Sequence, residues 1–161
     1  MTTIRMPSMV AVNSSQLAGV LSEDACSCSA LRVPPELAVD ILPVLYQARV
    51  GALSVEFANP RHQHEYAAFK QHPFPKDKIL IPGVIESTSN FVEHPEVVAR
   101  RIEEAVAAIG DRERVIASTD CGFGTFAGRE WIAASIVWEK LKTLRQGADL
   151  ASQRLWGKKV A

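Results

Sequence analysis

The sequence predicts an α/β fold in which parallel strands alternate with helices. Three observations predict it. Short apolar runs alternate with stretches of helical period at a pitch of about 35 residues, the length of a repeated βα unit. The strand candidates are largely apolar, as strands buried inside a parallel sheet are. In the run Val115-Ile116-Ala117-Ser118-Thr119-Asp120-Cys121-Gly122-Phe123-Gly124 an acid and a thiol appear where a strand ends, followed by two glycines. Parallel α/β folds place their chemistry at such strand ends.

The chain has 161 residues, the size of one domain, and 47% of them are hydrophobic, as in soluble globular proteins. Its formal net charge of zero supplies no basic field to gather nucleic acid or an anionic membrane surface. No apolar run is long enough to span a bilayer. The first residues lack the charged start and continuous apolar core of a signal peptide, so the expected location is the cytoplasm. Three cysteines cannot all pair and are not spaced as a disulfide framework, which fits a reducing compartment.

Residues 1–33 form an atypical segment without sustained period. Val10 to Val12 suggests a short strand, Leu17 to Leu21 a helical turn, and Ser22 to Ala30 a poorly ordered polar stretch. The domain proper is expected over residues 34–161. Pro35 and Glu36 suit a first helical turn. Leu37, Ile41, Val44, Leu45 and Ala48 recur at helical spacing, so Glu36 to Val50 reads as a helix kinked at Pro43 and stopped by Gly51. Ala52 to Phe57 is then a strand, with Val55 and Phe57 on one face and Ser54 and Glu56 on the other. Asn59-Pro60 turns the chain into a helix from His62 to His72, ended by Pro73 and Pro75.

Ile79-Leu80-Ile81 reads as a buried strand closed by Pro82-Gly83, with a polar loop from Val84 to Asn90. A helix follows from Pro95 to Ile109, its stripe formed by Val98, Ile102, Ala105, Val106 and Ile109. Its outer face of Arg100, Arg101, Glu103 and Glu104 reads as solvated. Gly110 ends that helix, and Arg114 enters the strand that leads to Cys121. Arg129 to Gln146 is a long helix carrying Trp131, Ile132, Ile136, Trp138 and Leu141, and Ala148 to Trp156 a shorter amphipathic one. Three strong strands are too few for a closed eight-stranded barrel, which takes ~250 residues. The fold is a small open sheet or the C-terminal half of a barrel, and the irregular start favours the half-barrel.

Taken on its own, Cys121 has three possible jobs: metal ligand, nucleophile or small buried hydrophobe. Ser54-Val55-Glu56-Phe57, Ile81-Pro82-Gly83-Val84-Ile85 and Thr119-Asp120-Cys121-Gly122 fall in order at successive strand ends. In that order and spacing they resemble the C-terminal catalytic barrel of cobalamin-independent methionine synthase and its relatives, which include the epoxyalkane:coenzyme M transferases. The match runs from Glu36 to Gly157, and Glu-Phe-Ala-Asn-Pro-Arg-His is closer to the shorter relatives. The resemblance implies the C-terminal half of a (β/α)8 TIM barrel, as a truncated copy. It also implies a Zn2+ cofactor, a small-molecule thiol substrate of the homocysteine type and a methyl donor such as methyl-tetrahydrofolate. Carried over by position, Glu56 and Cys121 match zinc ligands. Asp120 matches the acid before that cysteine and is the candidate catalytic residue. The family's His-x-Cys ligand pair is absent ahead of the Glu36 helix, where Cys26-Ser27-Cys28 stands instead.

Zinc lowers the pKa of a bound thiol, and a thiolate is the form that attacks carbon. A catalytic zinc takes three protein ligands and leaves one position open, so Glu56 and Cys121 alone would bind it weakly. Cys26, Cys28, His62 and His64 are the candidate replacements. His62 and His64 are alternate residues on a helix start, which points their rings apart and suits capping; His72 and His94 read as loop residues. Asp120 either orients a ligand or caps the following turn. Trp131, Trp138 and Trp156 read as core or interface residues. Three functions compete: a zinc-dependent methyl or alkyl transferase, a non-catalytic half-barrel that pairs its exposed sheet edge with another chain, as in a homo-oligomer, and an α/β enzyme using Cys121 as covalent nucleophile.

Overall fold

The computed structural model describes residues 37–124 and 132–157. The expectations for residues 1–36, Cys26 and Cys28 among them, and for Trp131 lie outside that range. The described chain follows the expected alternation. Helix α1 is Leu37–Tyr46, strand β1 Ala52–Val55, helix α2 Ala68–Gln71 and strand β2 Ile79–Ile85. Helix α3 is Pro95–Ile109, strand β3 Ser118–Thr119 and helix α4 Ala134–Trp156. The strands form one parallel sheet in the order β1-β2-β3. This is an α/β partial barrel, and all three strand C-termini open at one edge.

Several boundaries differ from the expected ones, each for a local reason. Helix α1 keeps Pro43 inside it but stops at Tyr46, short of Val50. The Gln47 side-chain amide donates to the Pro43 carbonyl at 3.2 Å, the acceptor the next helical N–H would use. The backbone falls back to i−3 bonds from Gln47 to Val44 and from Ala48 to Leu45, both 3.1 Å. The single helix expected from His62 to His72 is a 3-10 turn, Gln63–Ala67, followed by α2.

Strand β2 does not close at Pro82-Gly83 but runs through them to Ile85. Val55 opposite Pro82 is the last β1–β2 pair, so the missing N–H of Pro82 falls where β1 ends. From Gly83 onward the strand pairs with β3 instead, Gly83 opposite Ser118 and Ile85 opposite Thr119, with a register irregularity between Gly83 and Ile85. The polar loop therefore begins at Glu86. On this same side of β2, Val115 contributes only an isolated bridge to Leu80, so the full β3 ladder is shorter than the expected strand.

The two helices expected at the C-terminus are one, continuous through Gly147. A Cβ at Gly147 would lie 2.5 Å from Val98 Cβ and 2.9 Å from the Pro95 carbonyl, so the glycine marks where α4 crosses α3. The buried stripe of α4 is Lys140, Thr143, Gly147 and Ala151. Trp138 is 71% exposed and takes no part in the core.

Two apolar clusters hold the layers together. Leu42, Leu53, Phe57, Tyr66, Phe69, Phe74, Leu80 and Ala105 form one. Phe57 stacks on Tyr66 with ring centroids 4.0 Å apart. Val84, Ile85, Val98, Ala99, Ile102 and Ala151 form the other, between β2, α3 and α4. Among the described residues no helix is long and apolar enough to cross a membrane.

Candidate functional site at the strand ends

Each strand delivers polar side chains just past its C-terminus. Glu56 follows β1, Glu86 and Ser87 follow β2, and Asp120 and Cys121 follow β3. Parallel strands aim such residues at one mouth.

Asp120 is the structural centre of this group. It is buried, and its carboxylate accepts three backbone N–H groups from the segment after β1: Phe57 at 3.0 Å and Ala58 at 2.8 Å on Oδ1, Asn59 at 2.8 Å on Oδ2. Asp120 and β1 sit on opposite sides of the central strand, so the side chain must cross β2. It does so at Gly83, where a Cβ would lie 2.0 Å from Asp120 Oδ1. The expected alternative, a cap on the turn after Asp120, gives way to a brace on the neighbouring turn. Burial pushes the Asp120 carboxyl above its ordinary value, against the amides of Ala58, Asn59 and Phe57 that favour the charge.

Glu56 lies one residue before the braced amides and is half-buried. Burial raises its pKa, the Asp120 charge and Glu65 add to the rise, and His62 opposes it. His62 Nδ1 lies 2.9 Å from Glu65 Oε1, so its nearest acid is Glu65, while His64 is exposed. The pair thus divides, as its alternate spacing suggested. His94 is not a plain loop residue: it caps α3, its Nδ1 accepting from the Glu96 amide at 3.2 Å.

Cys121 Sγ lies 2.7 Å from Ser87 Oγ, which ties the ends of β2 and β3 together. Burial raises the Cys121 thiol above its usual range; the Ser87 hydrogen bond opposes this, and the charges of Glu56, Asp120 and Glu86 add to it. The charges of three carboxylates thus bear on one sulfur. Among the described residues no group of three or more His, Cys, Asp or Glu could hold a metal ion. Glu56 and Cys121 are donors of the kinds zinc takes, but two are fewer than a zinc site uses.

Two further parts of the site were not read from the sequence. Ser87 appeared there only as a loop residue. Lys140 is 0% exposed, in a helix whose apolar residues Ile136, Trp138 and Leu141 marked a different stripe, and it pairs with Glu93 at 2.9 Å. Its spacing from Thr143, Gly147 and Ala151 was the available signal for burial. Arg101, expected on a solvated face, is half-buried and donates to the Val84 carbonyl at 2.9 Å.

Residues 7–146 match the family described as cobalamin-independent synthase, catalytic domain. The chain belongs to this family. Among solved structures the cobalamin-independent synthase fold recurs in a B12-independent methionine synthase from Shewanella sp. W3-18-1, in complex with selenomethionine. The superposition has a TM-score of 0.57 at 20% identity and covers 72% of this chain. It covers 30% of that synthase, so the chain spans about a third of its length. No curated protein matches the chain.

Proposed function

We propose that this synthase-family chain serves zinc-dependent transfer of a methyl group to a small thiol, with methyl-tetrahydrofolate as donor and a homocysteine-type thiol as acceptor, in the cytoplasm. The observation that carries the reading is the convergence of Glu56, Asp120 and Cys121 on one strand-end mouth, braced by the three amide hydrogen bonds of Asp120. Glu56 and Cys121 are the chain's own zinc donors, and the rest of the set comes from outside the described residues. Bound zinc would keep a substrate thiol as thiolate at neutral pH. Asp120 acts on Glu56, fixing the turn that carries it, and does not touch the reacting atoms.

The test is metal content and turnover on the full chain. About one zinc per chain, lost in Cys121→Ser and in Glu56→Gln, is the expected result. A metal-free preparation that neither takes up zinc nor gains stability from it overturns the reading. Methyl transfer to homocysteine, compared with alkyl transfer to another thiol such as coenzyme M, decides the acceptor.

A second reading rests on the incomplete donor set and on a described sheet of three strands with two open edges. There the half-barrel acts only in association with another chain, a second copy included. A monomer by light scattering that binds zinc and turns over argues against it.

A further inference from the structure

The buried pair Lys140–Glu93 is unused by the function proposed above, and it is not where stability alone would put charge. Lys140 occupies the core stripe of α4, a place where an apolar side chain packs without losing hydration, and replacing a buried ion pair by apolar residues is often neutral or stabilising. What the pair does supply is position. Lys140 Nζ donates to the Glu86 carbonyl and to Glu93 Oε2, both at 2.9 Å. Glu93 Oε1 accepts the Glu86 amide at 2.8 Å, and Arg101 stands 3.7 Å from that same oxygen. Both backbone polar groups of Glu86 are thus held by side chains, at the residue where the β2 ladder has ended. The next residue is Ser87, whose hydroxyl lies 2.7 Å from Cys121 Sγ.

We propose that Lys140, acting through Glu93 and the backbone of Glu86, is a positioning residue that sets Ser87 against the Cys121 sulfur. Helix α4 thereby fixes, from behind the sheet, how much of that sulfur is open at the mouth. The use of this clamp in thiol transfer rests on the zinc-site reading; the clamp itself is measured without metal.

The experiment is iodoacetamide labelling of the chelator-treated full chain, read by mass spectrometry on the peptide holding Cys121 so that Cys26 and Cys28 do not interfere. Each rate is divided by the thiolate fraction from that variant's own pH–rate profile, because the Ser87 hydrogen bond also favours the thiolate. The variant is the neutral pair Lys140→Met/Glu93→Gln, which leaves no orphan charge. Labelling of Cys121 rises about ten-fold, the size of losing one charge-assisted hydrogen bond. Ser87→Ala alone raises it in the same direction, and adds nothing in the neutral-pair background. Lys140→Arg, which keeps the charge, stays near the wild-type rate. Leu42→Val, a core change in the other apolar cluster, controls for general loosening. A folded neutral-pair variant that labels at the wild-type rate overturns the proposal, as does a Ser87→Ala effect that adds in full. If the neutral pair does not fold, Lys140→Gln/Glu93→Gln, which also leaves no orphan charge, is read by the same criteria. Zinc uptake is scored separately on the same preparations, so a working clamp without zinc leaves this inference standing and removes the metal reading.

Discussion

Gly83 and Asp120 occupy adjoining space with no room for a side chain between them. A Cβ on Gly83 would lie 2.0 Å from Asp120 Oδ1 and 2.6 Å from its Cα. That approach lets an acid just after β3 reach across the central strand to amides after β1. Gly83→Ala therefore displaces the acid from its three N–H partners instead of merely filling a gap. Because backbone as well as side chain is in the way, the expected loss is about 3 kcal/mol, the upper end for overpacking. Urea unfolding measures it, and a loss below that of an ordinary surface change sinks the account.

Removing the brace from the other end gives a second prediction. Asp120→Ala leaves the amides of Phe57 and Ala58 buried without an acceptor, at about 1–3 kcal/mol for each orphaned group. Zinc affinity should fall in step, because Glu56 sits on the freed turn. Loss of stability with unchanged zinc affinity would show that Asp120 holds the fold and not the ligand.

The pH dependence of stability follows from the same acids. Burial raises both Asp120 and Glu56 in the folded chain. A carboxyl with a raised folded pKa holds its proton more tightly folded than unfolded, so stability declines as pH rises from the ordinary carboxylate value through the raised one. Below the ordinary value this cost is absent; above the raised value it is complete. Metal-free Glu56→Gln should flatten that decline in denaturant midpoints taken across the interval, and a slope unchanged from wild type would contradict the assignment.

Cys121 provides the counterpart for chemistry. Burial, with Glu56, Asp120 and Glu86 nearby, raises its thiol despite the Ser87 hydrogen bond. Metal-free protein should then alkylate Cys121 more slowly at neutral pH than a free thiol does, since the thiolate is the reactive form. Added zinc should protect it further. Rapid metal-free labelling at neutral pH would favour the covalent-nucleophile alternative instead.

Much of the fold was legible because apolar period survives in a single sequence: each strand and long helix appears where its pattern lies. The glycines and the buried charges were not legible in the same way. Gly83 looked like a strand end because proline and glycine punctuate loops more often than central strands. Only the change of partner at Pro82, from β1 to β3, makes it tolerable there. Glu56 and Cys121 stand just past strand ends, where their local patterns placed them. Lys140 could not be placed that way, because one buried lysine among exposed charges differs from them only by its packing.

Gly147 offers the sharpest separation of local preference from packing. It split the C-terminal helix into two on paper, since glycine in a helix costs about 1 kcal/mol relative to alanine. In the fold it is where α4 meets α3, with Val98 Cβ and Cγ1 each 2.5 Å from a built Cβ. Helix propensity says Gly147→Ala stabilises; the crossing says the opposite, and overpacking of about 1–3 kcal/mol outweighs the gain. Val98→Ala removes Cγ1 but keeps the Cβ at 2.5 Å, so it should recover only part of the loss in the double variant while being destabilising alone. That Cβ and the Pro95 carbonyl, 2.9 Å away, are not trimmed and set the part that stays lost. Thermal melts of the two single variants and the double one measure this as a cycle. Additive losses would mean that α4 and α3 do not meet at Gly147 in solution as they do here.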